Sequence, residues 1–507
     1  MSVAAGSAAP PARTGPQVPV HRLAWSGWLG PGGPTGPAVP VVATVLLLCA
    51  PANRTAPGGH NGVTLADMCS GVLVMWCALR LLRDRTARRT AGRAAPPVLT
   101  PLAALVLGAP AAAFALTTIA SADPEASLPG LVRYLQLFVL VPGAVLLSLR
   151  DARDARLVCA AVVLLALVEG TVGVVQALTS TGASYQGENI RAVGTFGALD
   201  VMGMATAVSY GLVTALACGL NPPARAPRWL RPCALGCAAV LVVPLALSYS
   251  RGAWIATGLA CLLLLALRGA RTTVGVLAAV VAAGVVLVGG LGVATQELAQ
   301  RFQSITEVSD APDSSVTDRY TLWSAATGIW RQAPVTGVGP KGFPEHRDSH
   351  AALELSSGSD TAGAGTPFQR EPLLSPHNMY LLVLSEQGLV GTVALLGSWG
   401  ALLVCGVRRL GRARHGSGAC RAADCGTVAA GLLVWQCVDF CYADIGGPST
   451  VLTALVLGLA TWWALSPAAE PKAEPATEHG PEPKPGPVAG HAPEPVPGLG
   501  AERSSAP

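Results

Sequence analysis

The chain has 507 residues, of which 51% are hydrophobic and only 12% charged, and its mean hydropathy is +0.49. A soluble domain usually carries about a quarter charged residues, so these values exclude a soluble protein and indicate a polytopic membrane protein. The formal net charge of +5 does not point to nucleic acid, because the basic residues fall between apolar runs and form no continuous face.

Residues 1–36 are rich in Pro, Gly and Ala and lack the apolar core and cleavage site of a signal peptide. They are expected to be a disordered cytoplasmic N-terminus, with the first apolar run retained as an anchor. A helix needs roughly 20 apolar residues to cross a hydrocarbon core of about 30 Å. That ruler predicts spans at 38–52, 63–82, 98–119, 128–148, 157–178, 198–219, 232–248, 252–268, 273–294, 387–406, 424–442 and 449–466. The expected fold class is therefore all-α, a polytopic bundle of about twelve transmembrane helices with one long extracytoplasmic loop. Nine spans fall in 37–294, the loop domain occupies 295–376, and three spans fall in 377–466.

The arginines give the orientation, since loops retained in the cytoplasm carry the basic residues. Alternate loops hold Arg80, Arg83, Arg85, Arg88, Arg89 and Arg93; Arg150, Arg153 and Arg156; Arg225, Arg228 and Arg231; Arg268 and Arg271; and Arg408, Arg409, Arg412, Arg414 and Arg421. The short loops of the other side hold only Arg54, Arg191 and Arg251. This pattern predicts both termini in the cytoplasm.

Within the long outer loop, DRYTLWSAATGIWRQAP (318–334) places Tyr320, Trp323, Ala326 and Ile329 or Trp330 at helical spacing, so an amphipathic helix ending at Pro334 is predicted. The segment SSGSDTAGAGTP (356–367) has the composition of a flexible linker. The tail 467–507, rich in Pro, Glu and Ala, is too poor in apolar residues to fold. None of the thirteen cysteines lies in 295–376, so no disulfide framework is implied, and Cys437 and Cys441 read as core residues one turn apart. There is no internal repeat and no Walker loop.

Ionisable residues in or at the mouths of spans are functional candidates by default, because charge is costly there. They are Asp67, Arg133, Glu169, Asp200, Arg251, Glu386 and Asp439. Asp67, Arg133, Glu169 and Asp439 can pair with one another as ties between helices. Arg251 differs, for it sits in a short turn, SYSRG, between two apolar helices on the side poor in positive charge. Its guanidinium fork and the amides of the helix that follows suit a phosphate. Arg191 lies on the same side, and two arginines from separate loops can clamp a diphosphate. In SPHNMYLLVLSEQGLVG (375–391), His377 stands at a polar helix start, where a neutral imidazole can take a proton from a sugar hydroxyl. Beside it are Asn378 and, further along, Glu386. His346 and His350 have metal-binding spacing but lack the Glu of a zinc protease, and no metal is expected.

At these residues the chain resembles the O-antigen ligase and polymerase superfamily of bacterial membrane glycosyltransferases. Arg191 with GTFG precedes a span; Ser248, Ser250, Arg251 and Gly252 form an SxSRG turn; Asp318, Arg319 and Trp323 are followed by Pro334, Gly337-Val338-Gly339 and Phe343; and His377, Asn378, Gly388 and Gly391 give the ligase-type pattern. The resemblance covers about 160–400. Relatives often carry a Pro-Asn pair after the first motif, where this chain has Gly197-Ala198-Leu199-Asp200. Asp200 then either pairs with Arg191 or weakens a donor site.

The resemblance implies a GT-C-like fold in the bacterial cytoplasmic membrane, with the active face extracytoplasmic. It implies a glycan donor on a polyprenyl diphosphate and a cell-envelope acceptor (glycan, lipid or protein), with inversion at the anomeric carbon and no cofactor. By carry-over, His377, Arg251 and Arg191 are the catalytic residues. Ser248, Ser250, Arg319, Trp323, Asn378 and Glu386 would contact substrate. Ligase and polymerase remain alternatives within the family. A transporter or flippase of lipid-linked glycan is the alternative of another class, with Asp67, Arg133, Glu169 and Asp439 along its path.

Overall fold

A computed structural model describes residues 36–51, 64–92, 98–185, 188–223, 226–291, 314–350, 359–363, 369–371, 373–415 and 422–466. They belong to one compact unit, Met1–Glu470; a second, Pro471–Pro507, lies outside the described residues, as do the expectations for 1–35 and for the tail.

Helices occupy every place where hydropathy predicts one: α1 (Val39–Leu47), α2 (Leu65–Thr90), α3 (Pro101–Ile119), α4 (Pro124–Ser148), α5 (Ala152–Thr179), α6 (Gly203–Leu220), α7 (Leu230–Leu247), α8 (Arg251–Arg268) and α9 (Ala270–Leu291). After α10 (Ser314–Gln332) and α11 (Phe343–Arg347) come α12 (Met379–His415), α13 (Ala423–Asp439) and α14 (Ser449–Leu465). Eight of these, α2 to α8 and α12, are long and apolar enough to cross a membrane by length and composition. By contrast α1 has nine residues, and α13 and α14 have 17 each.

Polar side chains set the helix starts. Thr64 and Asp67 form a reciprocal capping box for α2, while Thr100, Asp123, Asp151 and Ser250 cap α3, α4, α5 and α8. Each satisfies amides that would otherwise lack a partner in an apolar surrounding. Within α4, Gln136–Leu140 is a π-helical turn, and the Gln136 amide reaches Ser70 Oγ at 2.7 Å.

Every described residue of α14 is buried, from Ser449 to Leu465, so it runs through the interior of the bundle. Its neighbour α4 packs with Val145 against Gly458, where a Cβ would lie 2.6 Å from the valine. Small residues of this kind let helices approach where lipid supplies no hydrophobic drive for packing. Most of α6 is also buried, wedged between α5 and α7.

Among the described residues, strands occur only in the loops that carry the motifs. β1 (Ala183–Tyr185) and β2 (Glu188–Arg191) pair antiparallel, β3 (Ser359–Gly363) adds to β1, and β4 (Gln369–Glu371) adds to β3, giving the order β2-β1-β3-β4. The expected linker at 356–367 is corrected here, because its centre is β3. Gly, Ser, Thr and Ala accept extended backbone readily, and pairing with β1 satisfies it.

The predicted amphipathic helix is α10, starting four residues earlier than expected and ending before Pro334. Its buried stripe is Asp318, Thr321, Leu322, Ala325, Ala326 and Ile329. Tyr320 is exposed, so the stripe is turned away from the face anchored on that residue, because α10 packs on α12.

Candidate active site

The SYSRG turn joins α7 to α8. Ser248 Oγ donates to the Leu245 carbonyl at 2.6 Å, and Ser250 Oγ accepts from the Ala253 amide at 3.3 Å. Tyr249 between them has φ 50°, a left-handed conformation that a bulky residue adopts only when its surroundings hold it there. Arg251 is the first residue of α8, half-buried, with Gly252 against the Tyr442 ring: a Cβ on Gly252 would lie 3.1 Å from Tyr442 Cβ. The serine hydroxyls thus build the turn that aims Arg251, which is a different role from the substrate contact expected of them.

The Arg191 loop lies against this turn. Ala192 N–H donates to the Leu247 carbonyl at 3.2 Å, so residues adjacent to the two motifs are joined by backbone. The loop is shaped from α5. Gln176 accepts from the Val193 and Gly194 amides at 3.0 and 2.9 Å, and Glu169 accepts from Thr195 N and Thr195 Oγ1 at 2.8 and 2.6 Å. Glu169 therefore serves the first motif and is not one of a set of mutually paired charges.

His377 has φ 48°, the second left-handed non-glycine residue at a motif turn. Its segment is held on both sides. Trp323 Nε1 of α10 donates to the Pro376 carbonyl at 2.9 Å, and Asn378 caps α12 through Leu381 N at 3.1 Å while donating to the Cys441 carbonyl at 3.1 Å. Trp323 and Asn378 are therefore engaged in setting the imidazole in place. Burial pushes the His377 pKa below its ordinary value; Arg319 acts in the same direction and Asp444 opposes both. A neutral imidazole at neutral pH is what a general base requires.

Glu386, expected on substrate, makes internal bonds. It lies inside α12, 3% exposed, accepting from Tyr134 Oη at 2.9 Å and Phe343 N at 3.4 Å. Around it the PVTGVG segment docks on a break in α12 at Gly388, φ 59°. The amides freed by that break, Leu389 N and Val390 N, donate to the Pro334 and Val335 carbonyls at 2.9 and 3.1 Å. Val338 N and Gly339 N return bonds to the Ser385 and Glu386 carbonyls at 3.1 and 2.9 Å. A Cβ at Gly337 or Gly388 would fall on the opposing backbone. Gly337 of the third motif and Gly388 of the fourth thus occur together because their backbones touch.

One segment that hydropathy alone does not single out gathers these parts: the loop Phe440–Pro448 between α13 and α14. Met379 N donates to the Phe440 and Ala443 carbonyls at 2.9 and 3.0 Å, tying the loop to the His377 segment. Tyr442 covers the start of α8. Asp200, at the end of the first motif, accepts from Ser449 N at 2.8 Å and leaves no room for a side chain at Gly447. Arg133 donates to the Gly447 carbonyl at 3.3 Å and pairs with Asp67. Arg133 lies near enough for its charge to act on Asp200, while Arg319 acts on Asp439 as well as on His377. The four membrane charges of the transport alternative thus have separate attachments: Asp67 with Arg133, Glu169 with Thr195, and Asp439 near Arg319. A sequence signal for the loop existed, a Gly-Gly-Pro punctuation with Asp444 in a short connection.

Elsewhere, Arg156 and Asp424 form a buried two-point ion pair, Nε–Oδ2 2.7 Å and Nη2–Oδ1 3.0 Å. His346 and His350 each place Nδ1 2.9 Å from a backbone carbonyl oxygen, of Gly342 and His346 respectively.

No curated protein matches the chain. Residues 236–396, which include the SYSRG turn, the PVTGVG segment and the His377 helix but neither Arg191 nor the loop Phe440–Pro448, match the O-antigen ligase family. Over that segment the chain is similar to the O-antigen ligase family, whose members are glycosyltransferase-like enzymes, and eight of its helices are long and apolar enough to cross a membrane.

Proposed function

We propose that the chain transfers a glycan from a polyprenyl diphosphate to a hydroxyl of a cell-envelope acceptor, at the outer face of the bacterial cytoplasmic membrane. In this reading the twelve helices all cross, both termini are cytoplasmic, and the loops bearing Arg191, Arg251, Arg319 and His377 face outward. The observation that carries it is the convergence of separate motif loops: Ala192 on Leu247, Gly252 on Tyr442, and Met379 on Phe440 and Ala443.

The acceptor oxygen forms a bond to the anomeric carbon as the bond from that carbon to the diphosphate oxygen breaks. Attack from the face opposite the leaving group gives inversion. The electron pair goes to the diphosphate, whose growing charge Arg251 and Arg191 would neutralise, and the acceptor proton goes to His377. A diphosphate leaves as an already charged, stabilised anion, so guanidinium groups can supply the needed stabilisation without a metal. Arg319, close enough for its charge to act on His377, is placed to hold a phosphate or glycan oxygen and to keep the imidazole neutral.

Ligase is the first reading and polymerase the second. Both follow from the same chemistry, and the size of the lipid-linked pool separates them. In cells carrying His377→Ala at normal protein level, transfer falls about 10²–10⁴-fold. Full-length glycan then accumulates on its lipid if the chain is a ligase, and single repeat units accumulate if it is a polymerase. Unchanged outer pools with build-up on the inner leaflet would instead favour transport, and full activity of both His377→Ala and Arg251→Ala would end the transferase reading.

A further inference from the structure

Asp444 is a carboxylate that the chemistry above does not use. It follows Ala443, whose carbonyl accepts from Met379 N at 3.0 Å, in a loop that also receives the Asn378 side chain on Cys441. The loop therefore wraps the His377 segment from the side opposite Trp323, which holds Pro376. Asp444 Oδ2 is buried and, among the described residues, has no hydrogen-bond partner. A buried carboxylate oxygen without a donor is uncommon enough in folded proteins to call for an explanation.

The charged groups around the imidazole come from several elements. Arg319 of α10 and Asp444 of the loop lie near enough for their charges to act on it, in opposite directions. Asp439, at the end of α13, has Arg319 as its nearby cation. Glu386 of α12 is bonded to Tyr134 of α4 and to the Phe343 amide. Asp444 is thus the carboxylate whose charge is felt at His377 while one of its own oxygens still lacks a donor.

We propose that Asp444 is the positioning residue of His377, a carboxylate that orients the imidazole toward the acceptor hydroxyl and balances the imidazolium formed when that hydroxyl gives up its proton. The proposal rests on the general-base reading of His377. The proton stays on His377 until it is released to solvent and is not passed on to Asp444, so no further reactant is needed. The role follows from the general behaviour of carboxylate and imidazole pairs, in which the carboxylate selects the tautomer and holds the ring.

The test uses the full-length protein in membranes, with diethyl pyrocarbonate as the probe of neutral imidazole. The rate of modification of His377, read peptide by peptide by mass spectrometry from about pH 5 to about pH 8, gives its protonation midpoint. In Asp444→Asn the midpoint moves down by about one unit, a tenfold change in the protonation equilibrium. Turnover falls at least about tenfold with KM little altered, since the stabilisation is of the transition state, and Asp444→Glu restores part of both. Should the Asn variant fail to accumulate, Asp444→Ser removes the charge and gives the same reading. An unchanged midpoint in the charge-removing variant overturns the proposal. A shifted midpoint together with full transfer by His377→Ala leaves the pair standing and overturns the general-base reading instead.

Discussion

The two ends of the bundle treat their charges differently. α5 runs between them, about 40 Å at 1.5 Å per residue, with Arg156 near its start and the Arg191 loop beyond its finish. At the Arg156 end a guanidinium fork meets Asp424 through two bonds, both partners buried. At the other end lie all four non-glycine residues with left-handed backbone among the described residues: Ser180, Tyr249, Lys341 and His377. There too a buried carboxylate oxygen, on Asp444, lacks a donor. Such conformations cost on the order of 1–3 kcal/mol each and persist where the surroundings over-determine them, commonly at working sites. The paired end is built to stay as it is, whereas the strained end holds side chains in positions that relaxed backbone would not give them.

The largest effect that would sharpen this contrast is at the paired end. Asp424→Ala leaves Arg156 buried without its partner and should cost about 3–5 kcal/mol, read as loss of folded protein in membranes. Transfer per folded molecule should be unchanged, and replacing both partners by apolar residues should recover most of the protein. A variant that keeps normal abundance but loses transfer would break the contrast.

Next comes acid sensitivity at the strained end. His377 has a lowered pKa because it is buried, with Arg319 reinforcing the shift. Its neutral form should thus persist through neutral pH, and transfer should fall only below the ordinary imidazole value of about 6.5. For stability the sign is the same. The contribution of the neutral ring is complete above the unfolded value and is lost as pH falls from there through the lowered folded value. A rate profile that rises toward acid would contradict a neutral base.

The smallest effect is at Ser250, the cap of α8. Ser250→Ala should cost about 1 kcal/mol and loosen the turn that aims Arg251. A several-fold rise in KM for the lipid-linked donor with little change in stability would place this serine's importance in binding; a purely structural loss would place it in the fold.

Much of the fold was legible beforehand, since a helix stands at every predicted apolar run. The site was legible in part. The motifs carrying Arg191, Arg251 and His377 do approach one another through their loops, but most of the polar neighbours expected on substrate have other partners. Ser248 and Ser250 shape a turn, Asn378 and Trp323 hold the His377 segment, and Glu386 faces Tyr134, 252 positions away. The hydroxyl, amide or carboxylate in a motif looks the same whichever partner it takes. Asp444 was passed over because the Gly-Gly-Pro beside it marks a turn and says nothing of which segments that turn meets.

The chain by itself determined where helices form and which loops gather arginine. Both are local properties: an apolar run in lipid must satisfy its own backbone, and helix is the way a single segment does so. The tertiary structure decided which face of α10 is buried, how Gly388 breaks α12 to receive PVTGVG, and that Phe440–Pro448 gathers the motif loops. These depend on contacts between residues distant in the chain, from Leu389 with Pro334 to Arg133 with Gly447, made only once the helices have packed.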